Sequence, residues 1–364
     1  MAKTNTVLAL DAGGTNFVFN AVTNGAIVDK TFSLPAKSDS LNHLLEKIIH
    51  GFREINKQTG NQAVAISFCF PSPADFENGI IGDLENLPFF RGGVALKKML
   101  ENEFRIPVFI NNDGDLFTLG EAIKGVLPEI NAKLNASKIR KQYRNLLGVT
   151  LGTGFGGGIV QHGELFLGDN SAGAEINRMV NPSNWNMSVE ETLSIRGIKR
   201  LFAEESGMDF KDVPDPYTIF TIGMGKTDGN REAAVKAWER FGKVLGDALA
   251  NALTLVDGLA VIGGGLSGAH PLFLPRAVEM LNRKFDRPDG GKVPRMEISA
   301  YNLETETGLQ GFLNQQEILI KVPFSDEMTP YYPEKKTGVS TTKLGTSRAV
   351  ALGAYAYAAN QIGF

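Results

Sequence analysis

The spacing of apolar positions changes period repeatedly along this chain. Val7 to Leu10 is a short continuous apolar run and predicts a strand; a glycine turn follows, and Phe17 to Val22 predicts a second strand. Leu41 to Phe52 (LNHLLEKIIHGF) carries its apolar residues at helical spacing, with Asp39 or Ser40 placed to cap it. Ala63 to Phe70 is apolar throughout, as a strand buried on both faces requires. Gly93 to Phe104 predicts a helix and Pro107 to Ile110 the next strand, so the first 113 residues read as an alternating α/β lobe. A polar, Lys/Arg-rich stretch from Glu129 to Asn145 then interrupts the pattern and is expected on the surface.

The alternation resumes at Leu146 to Val160, which reads as strand, glycine turn, strand. LALDAGGTNFVFNAV near the start and VTLGTGFGGGIVQHG here share one plan: apolar strand, Gly-rich turn with Thr, apolar strand. This weak internal repeat implies two related lobes. Helices are expected at Arg231 to Leu255 and Pro271 to Phe285 around a strand at Leu259 to Ile262. Gln315 to Lys343 reads as an inserted, partly β excursion, and Ser347 to Asn360 as a closing helix. The expected organisation is an N-terminal lobe over 1–113, with the helix of about 347–364 packing back on it. A larger lobe over 114–346 would carry an insertion near 312–343.

Composition narrows the function. Lys plus Arg is 37 and Asp plus Glu 40, a net charge of −3 that argues against a nucleic-acid binder. No apolar run approaches the roughly 20 residues of a membrane span, and no apolar segment of a signal peptide precedes Val7. Cys69 is the single cysteine, which excludes an intramolecular disulfide and a multi-cysteine zinc site. A soluble, cytoplasmic protein is the expectation. Glycine is in excess, 41 in 364 residues, about 11% against an ordinary ~7%.

The glycines cluster after strands: Asp11-Ala12-Gly13-Gly14-Thr15, Gly152-Thr153-Gly154-Phe155-Gly156-Gly157-Gly158, and Gly263-Gly264-Gly265. Glycine lets backbone N–H groups approach and cradle a phosphate. Each cluster alone equally suits a tight turn; three together favour phosphate. Gly152 to Gly157 and Gly263 to Gly268 formally match a dinucleotide fingerprint, but no acidic strand end follows at the right distance. Gly225-Lys226-Thr227 ends like a Walker loop, yet Phe220 stands where its first glycine belongs. Asn111-Asn112-Asp113 follows the strand PVFI, at the strand end where open α/β sheets bind ligands. Asp113 could serve as a general base in phosphoryl transfer or simply cap the next helix.

Taken in order, DAGGT, NND, GTGFGGG and GGG resemble the ROK family of sugar kinases, within the sugar kinase, Hsp70 and actin superfamily. The resemblance implies a two-lobed actin-like ATPase (ribonuclease H-like) fold with the active site in the interlobe cleft. It implies ATP-dependent phosphorylation of a hexose on a primary hydroxyl, first glucose to glucose 6-phosphate, with fructokinase and N-acetylhexosamine kinase as alternatives. By the same likeness Asp113 is the base, and Asp11, Gly13, Gly14, Thr15, Asn16, Gly152, Thr153, Gly154, Gly156, Gly264 and Gly265 hold ATP, with Mg²⁺ near Asp11. Ser72, Asn86, Asn112, Asp113, Glu175, Arg178 and Glu190 would face the sugar. Family members are often dimeric, so a homodimer is the implied assembly, with hexose and ATP as partners and neither nucleic acid nor membrane. Some ROK proteins are sugar-sensing regulators with an N-terminal helix-turn-helix; no such motif precedes Val7 here.

One departure stands out. Most members place Gly-His after the first sugar-binding Glu and three cysteines in the following loop, and these hold zinc. Here Asn177-Arg178 occupies the Gly-His position, and NPSNWNMS (Asn181 to Ser188) has no cysteine. No zinc is expected. The loop is instead expected to be ordered by Pro182, by burial of Trp185 and Met187, and by Arg178 pairing with Glu175 or Glu190.

Overall fold

The computed structural model describes residues 4–12, 16–71, 74–84 and 87–364. The chain forms two compact units, one of residues 1–125, 158–174 and 343–364, the other of 126–157 and 175–342.

The first unit is built on a six-stranded sheet. Its strands are β1 (Thr6–Ala12), β2 (Asn16–Thr23), β3 (Ala26–Ile27), β4 (Phe32–Pro35), β5 (Ala63–Cys69) and β6 (Val108–Asn111). They run in the order β3-β2-β1-β5-β6, with β4 also paired to β2. β1 and β2 form an antiparallel hairpin, whereas β1, β5 and β6 are parallel. The central strands must therefore bury both faces. On one face Leu8 and Leu10 of β1 meet Ile48, Phe52 and Ile55 of helix α1 (Leu41–Gln58), together with Phe19 and Phe68. Ser40 caps α1 by accepting the His43 N–H, as one of the two cap candidates required. On the other face Val7 and Ala9 meet Ala358 and Ala354 of the C-terminal helix, Thr346–Ile362.

That helix also crosses α3 (Asp113–Lys124), which follows the shorter α2 (Leu96–Phe104) and β6. The crossing is backbone to backbone. A Cβ at Gly120 would overlap the Ala349 carbonyl, and one at Gly353 the Leu116 carbonyl. Because Leu116 lies in one cluster with Ala9 and Cys69, α3 folds with the first unit rather than beginning a second lobe at residue 114.

The second unit has a parallel core of β7 (Leu146–Leu151), β9 (Leu259–Gly263), β10 (Ser299–Asn302) and β11 (Lys336–Thr341), with the first residues of β8 (Phe155–Gln161) beside β7; from Gly158 on, β8 is counted with the first unit. The order is β8-β7-β9-β11-β10. Helices α4 (Val126–Ala136), α5 (Ile195–Ser206), α6 (Arg231–Val256) and α7 (His270–Leu281) accompany it. Trp238 and Phe241 of α6 stack on Phe273 of α7, with ring centroids 5.9 and 5.5 Å away.

Two stretches differ from the sequence expectation. The first part of the polar 129–145 segment lies in α4, which buries Val126, Leu127, Ile130 and Leu134; its charged residues masked that apolar face. Lys336–Thr341, expected inside an insertion, is a buried central strand. Its polar composition hid it, because each polar group has a partner. The Lys336 ammonium donates to the carbonyls of Gly311 and Asn314 at 2.8 and 2.7 Å, and the Thr337 hydroxyl to Gly258 O at 2.6 Å. Only Ile318–Lys321 and Met328–Tyr331 form a projecting antiparallel hairpin. Among the described residues no helix is long and apolar enough to cross a membrane.

Candidate active site

In the first unit, three expected site residues meet at the C-terminal ends of parallel strands. β6 ends at Asn111, and Asn112 then caps α3 by accepting the Gly114 N–H at 2.8 Å. The capping role that the sequence left open for Asp113 thus belongs to Asn112. Asp113 is the first residue of α3, and its Oδ1 accepts the same Gly114 N–H at 2.8 Å. Its carboxylate keeps surface open to solvent, yet enough protein surrounds it that burial raises its pKa; the Gly114 N–H opposes this, and the Asp11 charge adds to it.

Asp11, near the end of β1, is likewise raised by burial and held down in part by a hydrogen bond from Ser347 of the C-terminal helix. Cys69 is buried, and burial together with the charges of Asp113 and Asp11 pushes its thiol far up, which disfavours the thiolate. Asn16 opens β2 and is exposed. Gly13, Gly14, Thr15, Ser72 and Asn86 lie outside the described residues.

In the second unit, β7 runs into the turn Gly152–Phe155. The Gly152 N–H closes the turn on Gly154 O at 3.0 Å, and its carbonyl accepts the Ile195 N–H at 2.8 Å. The Phe155 N–H donates to Glu190 Oε2 at 3.0 Å. The N–H groups of Thr153 and Gly154 have no partner among the described residues, which leaves two adjacent donors for an anion. Gly264 sits directly against this strand end. Its φ is +85°, and a Cβ there would overlap the Leu151 backbone, so only glycine fits. Side-chain space at Gly152 and Gly265 is open. The structure therefore brings the second and third glycine clusters together; Gly156 continues into β8.

Glu175 precedes the short 3₁₀ turn Ile176–Arg178 and Arg178 ends it, and both are exposed. The Arg178 N–H donates to Glu175 O at 3.1 Å, but among the described residues its guanidinium pairs with neither the Glu175 nor the Glu190 carboxylate. The cation nearest Glu190 is Arg196, 3.7 Å from Oε1, and Arg196 also pairs with Glu191. Trp185 is 81% exposed and Met187 42%, so neither orders the 181–188 loop as the sequence suggested. Asn181 does. It is 2% exposed, donates to Thr192 Oγ1 at 2.8 Å, and accepts the Ser183 N–H at 2.9 Å. Ser347 and Arg196 escaped sequence reading because each acts through a partner that only the folded chain supplies.

Two α/β units, each on a mixed sheet with helices against it, match the actin-like ATPase fold of ROK sugar kinase structures. The model of the ROK family matches residues 7–314, and the chain belongs to that family. The crystal structure of a glucokinase from Parabacteroides distasonis is 47% identical, covers 99% of this chain and 98% of its own, and superposes with a TM-score of 0.90. An N-acetyl-D-glucosamine kinase of Photobacterium profundum is 27% identical over 288 residues, 74% of this chain and 87% of that protein. A glucokinase of Thermotoga maritima is 27% identical over 286 residues, 72% of this chain and 83% of its own length. A ROK glucokinase from Streptomyces griseus, solved with glucose and AMPPNP, shares the fold at 17% identity and a TM-score of 0.61, covering 96% of this chain and 98% of its own.

Proposed function

We propose that this chain is an ATP-dependent hexose kinase that phosphorylates the 6-hydroxyl of glucose. The observation that carries the reading is Asp113: a carboxylate beside Asn112 at the end of a parallel strand, its pKa raised by burial. Phosphoryl transfer to an alcohol asks the protein for one proton acceptor, positioning, and neutralisation of phosphate charge. Asp113 takes the proton of the primary hydroxyl as its oxygen attacks the γ-phosphorus, and ADP leaves in line. The free N–H groups of Thr153 and Gly154 hold phosphate oxygens, with Gly264 and Gly265 beside the nucleotide and the Asp11–Thr15 segment as the second phosphate turn. Asn112, Glu175, Arg178 and Glu190, with Ser72 and Asn86, supply hydroxyl contacts.

Asp11 stands near the end of β1, exposed but crowded enough that burial raises its pKa, and its carboxylate oxygens are donors of the kind that suit Mg²⁺. Asp11 would hold the Mg²⁺ that accompanies ATP, and that ion would spread the charge of the phosphates. A kinase drawing on ATP works where ATP is, which places the activity in the cytoplasm. The 47% identical glucokinase favours glucose, while relatives named N-acetyl-D-glucosamine kinases keep that amino sugar as the second reading. A coupled assay of glucose, fructose, mannose and the N-acetylhexosamines with ATP and Mg²⁺ tests both. Highest kcat/KM on glucose is expected; preference for N-acetylglucosamine selects the second reading, and no turnover on any hexose rejects the proposal.

A further inference from the structure

The Gly152–Phe155 turn is held by one short segment from outside. Ile195 donates its N–H to Gly152 O, and Glu190 accepts the Phe155 N–H, so residues 190–195 grip the turn at both ends. These bonds leave the Thr153 and Gly154 donors unpaired between them. The fit at Glu190 is close: a Cβ on Gly154 would lie 2.8 Å from Glu190 Oε2. Arg196, 3.7 Å from Oε1, offsets a negative charge that would otherwise face incoming phosphate.

We propose that Glu190 is a positioning residue for nucleotide binding: its carboxylate orients the Gly152–Phe155 turn so that the Thr153 and Gly154 N–H groups meet the ATP phosphates. This goes beyond a hexose contact and rests on the kinase reading above. Since one carboxylate would then touch both the turn and the sugar, hexose and nucleotide affinities are coupled through it, and the coupling is reciprocal. Gly154 is part of the same device, because a side chain there pushes the carboxylate off the Phe155 N–H.

The test measures the Kd of the full chain for a non-hydrolysable ATP analogue by calorimetry, with and without saturating glucose, alongside KM for ATP. Glu190→Ala removes a charge-assisted hydrogen bond and is expected to weaken analogue binding about tenfold even without glucose, where loss of a hexose contact alone would leave it unchanged. Glu190→Gln keeps an acceptor for the Phe155 N–H and should restore most of the affinity. Gly154→Ala should weaken binding like Glu190→Ala, and the double variant should be no worse than either single one, because both act on one contact. Thermal melts of each variant verify folding, and Gly154→Ala carries the test if Glu190→Ala does not fold. Analogue affinity within about twofold of wild type in Glu190→Ala, or strict additivity in the double variant, overturns the proposal. Wild-type protein that binds the analogue but turns over no hexose would reject the kinase reading alone; wild-type protein that does not bind it overturns both.

Discussion

At the scale of single residues, the site depends on carboxylates whose ionisation the surrounding protein shifts while solvent still reaches them. Asp113 is the sharpest case. As the base, it must be ionised, so kcat/KM should fall on the acid side with a midpoint above the ordinary carboxylate value of about 3.9. Because the Asp11 charge contributes to the shift, that limb belongs to the pair. Asp113→Asn should lower kcat by roughly 10²–10⁴-fold while sugar affinity stays within a few-fold. The same shift makes a stability statement. A carboxyl raised in the folded state binds more protons folded than unfolded, so its contribution is present below the unfolded pKa and lost as pH rises through the folded one. Asp113→Asn is therefore expected to raise the Tm at pH 7, with the gain vanishing near pH 3, by an amount limited by the solvent that reaches the carboxylate. Calorimetry across that range reads it, and a variant with near-normal kcat removes Asp113 from the role.

At the scale of elements, the active end of the first unit is fixed by a helix crossing rather than by the site itself. α3 carries Asn112 and Asp113 at its start, and the C-terminal helix carries Ser347, the partner of Asp11. Gly120 and Gly353 let these helices meet backbone to backbone. Gly353→Ala should overpack the crossing against the Leu116 carbonyl and cost about 1–3 kcal/mol in urea unfolding, with a fall in kcat as α3 shifts. An unchanged urea midpoint would show that the crossing has slack. Strand β1, helix α1, the Asn-Asn-Asp strand end and the Gly152–Phe155 turn were legible because a short apolar run, a helical period and a glycine cluster each reflect local physics. Strand β11 and helix α4 were not, since their polar residues are satisfied by distant partners or share a helix with a buried face. Asn112 as the cap of α3 was not legible, since it shows only where the helix starts, and Glu190's grip on Phe155 spans 35 residues of sequence.

At the scale of the whole molecule, the 181–188 loop is ordered by hydrogen bonds to its own neighbours, and this yields the last prediction. A structural zinc site needs four ligands, usually thiolates and imidazoles. The one cysteine, Cys69, is buried in β5, and His43, His50, His162 and His270 all lie outside residues 175–190. The loop is instead a small hairpin, Val180–Asn181 against Asn184–Ser188, tied down by Val189 N–H to Met179 O at 2.9 Å and by the buried amide of Asn181. Neutral hydrogen bonds of this kind contribute about 0.5–1.5 kcal/mol each, and orphaning a buried partner costs about 1–3 kcal/mol, which suffices for a short loop. We therefore expect chelator-treated protein to carry no stoichiometric zinc and to regain full activity with Mg²⁺ alone. Asn181→Ala should loosen the Glu190 side of the site, raising the KM for both hexose and ATP. Trp185→Ala, at an exposed position, should change stability by no more than about 0.5 kcal/mol and leave both KM values in place. Elemental analysis that finds one tightly held zinc per chain, lost together with activity on chelation, would overturn this account of the loop. So would a Trp185→Ala variant that behaves like Asn181→Ala, because the order would then come from an aromatic anchor rather than from the amide.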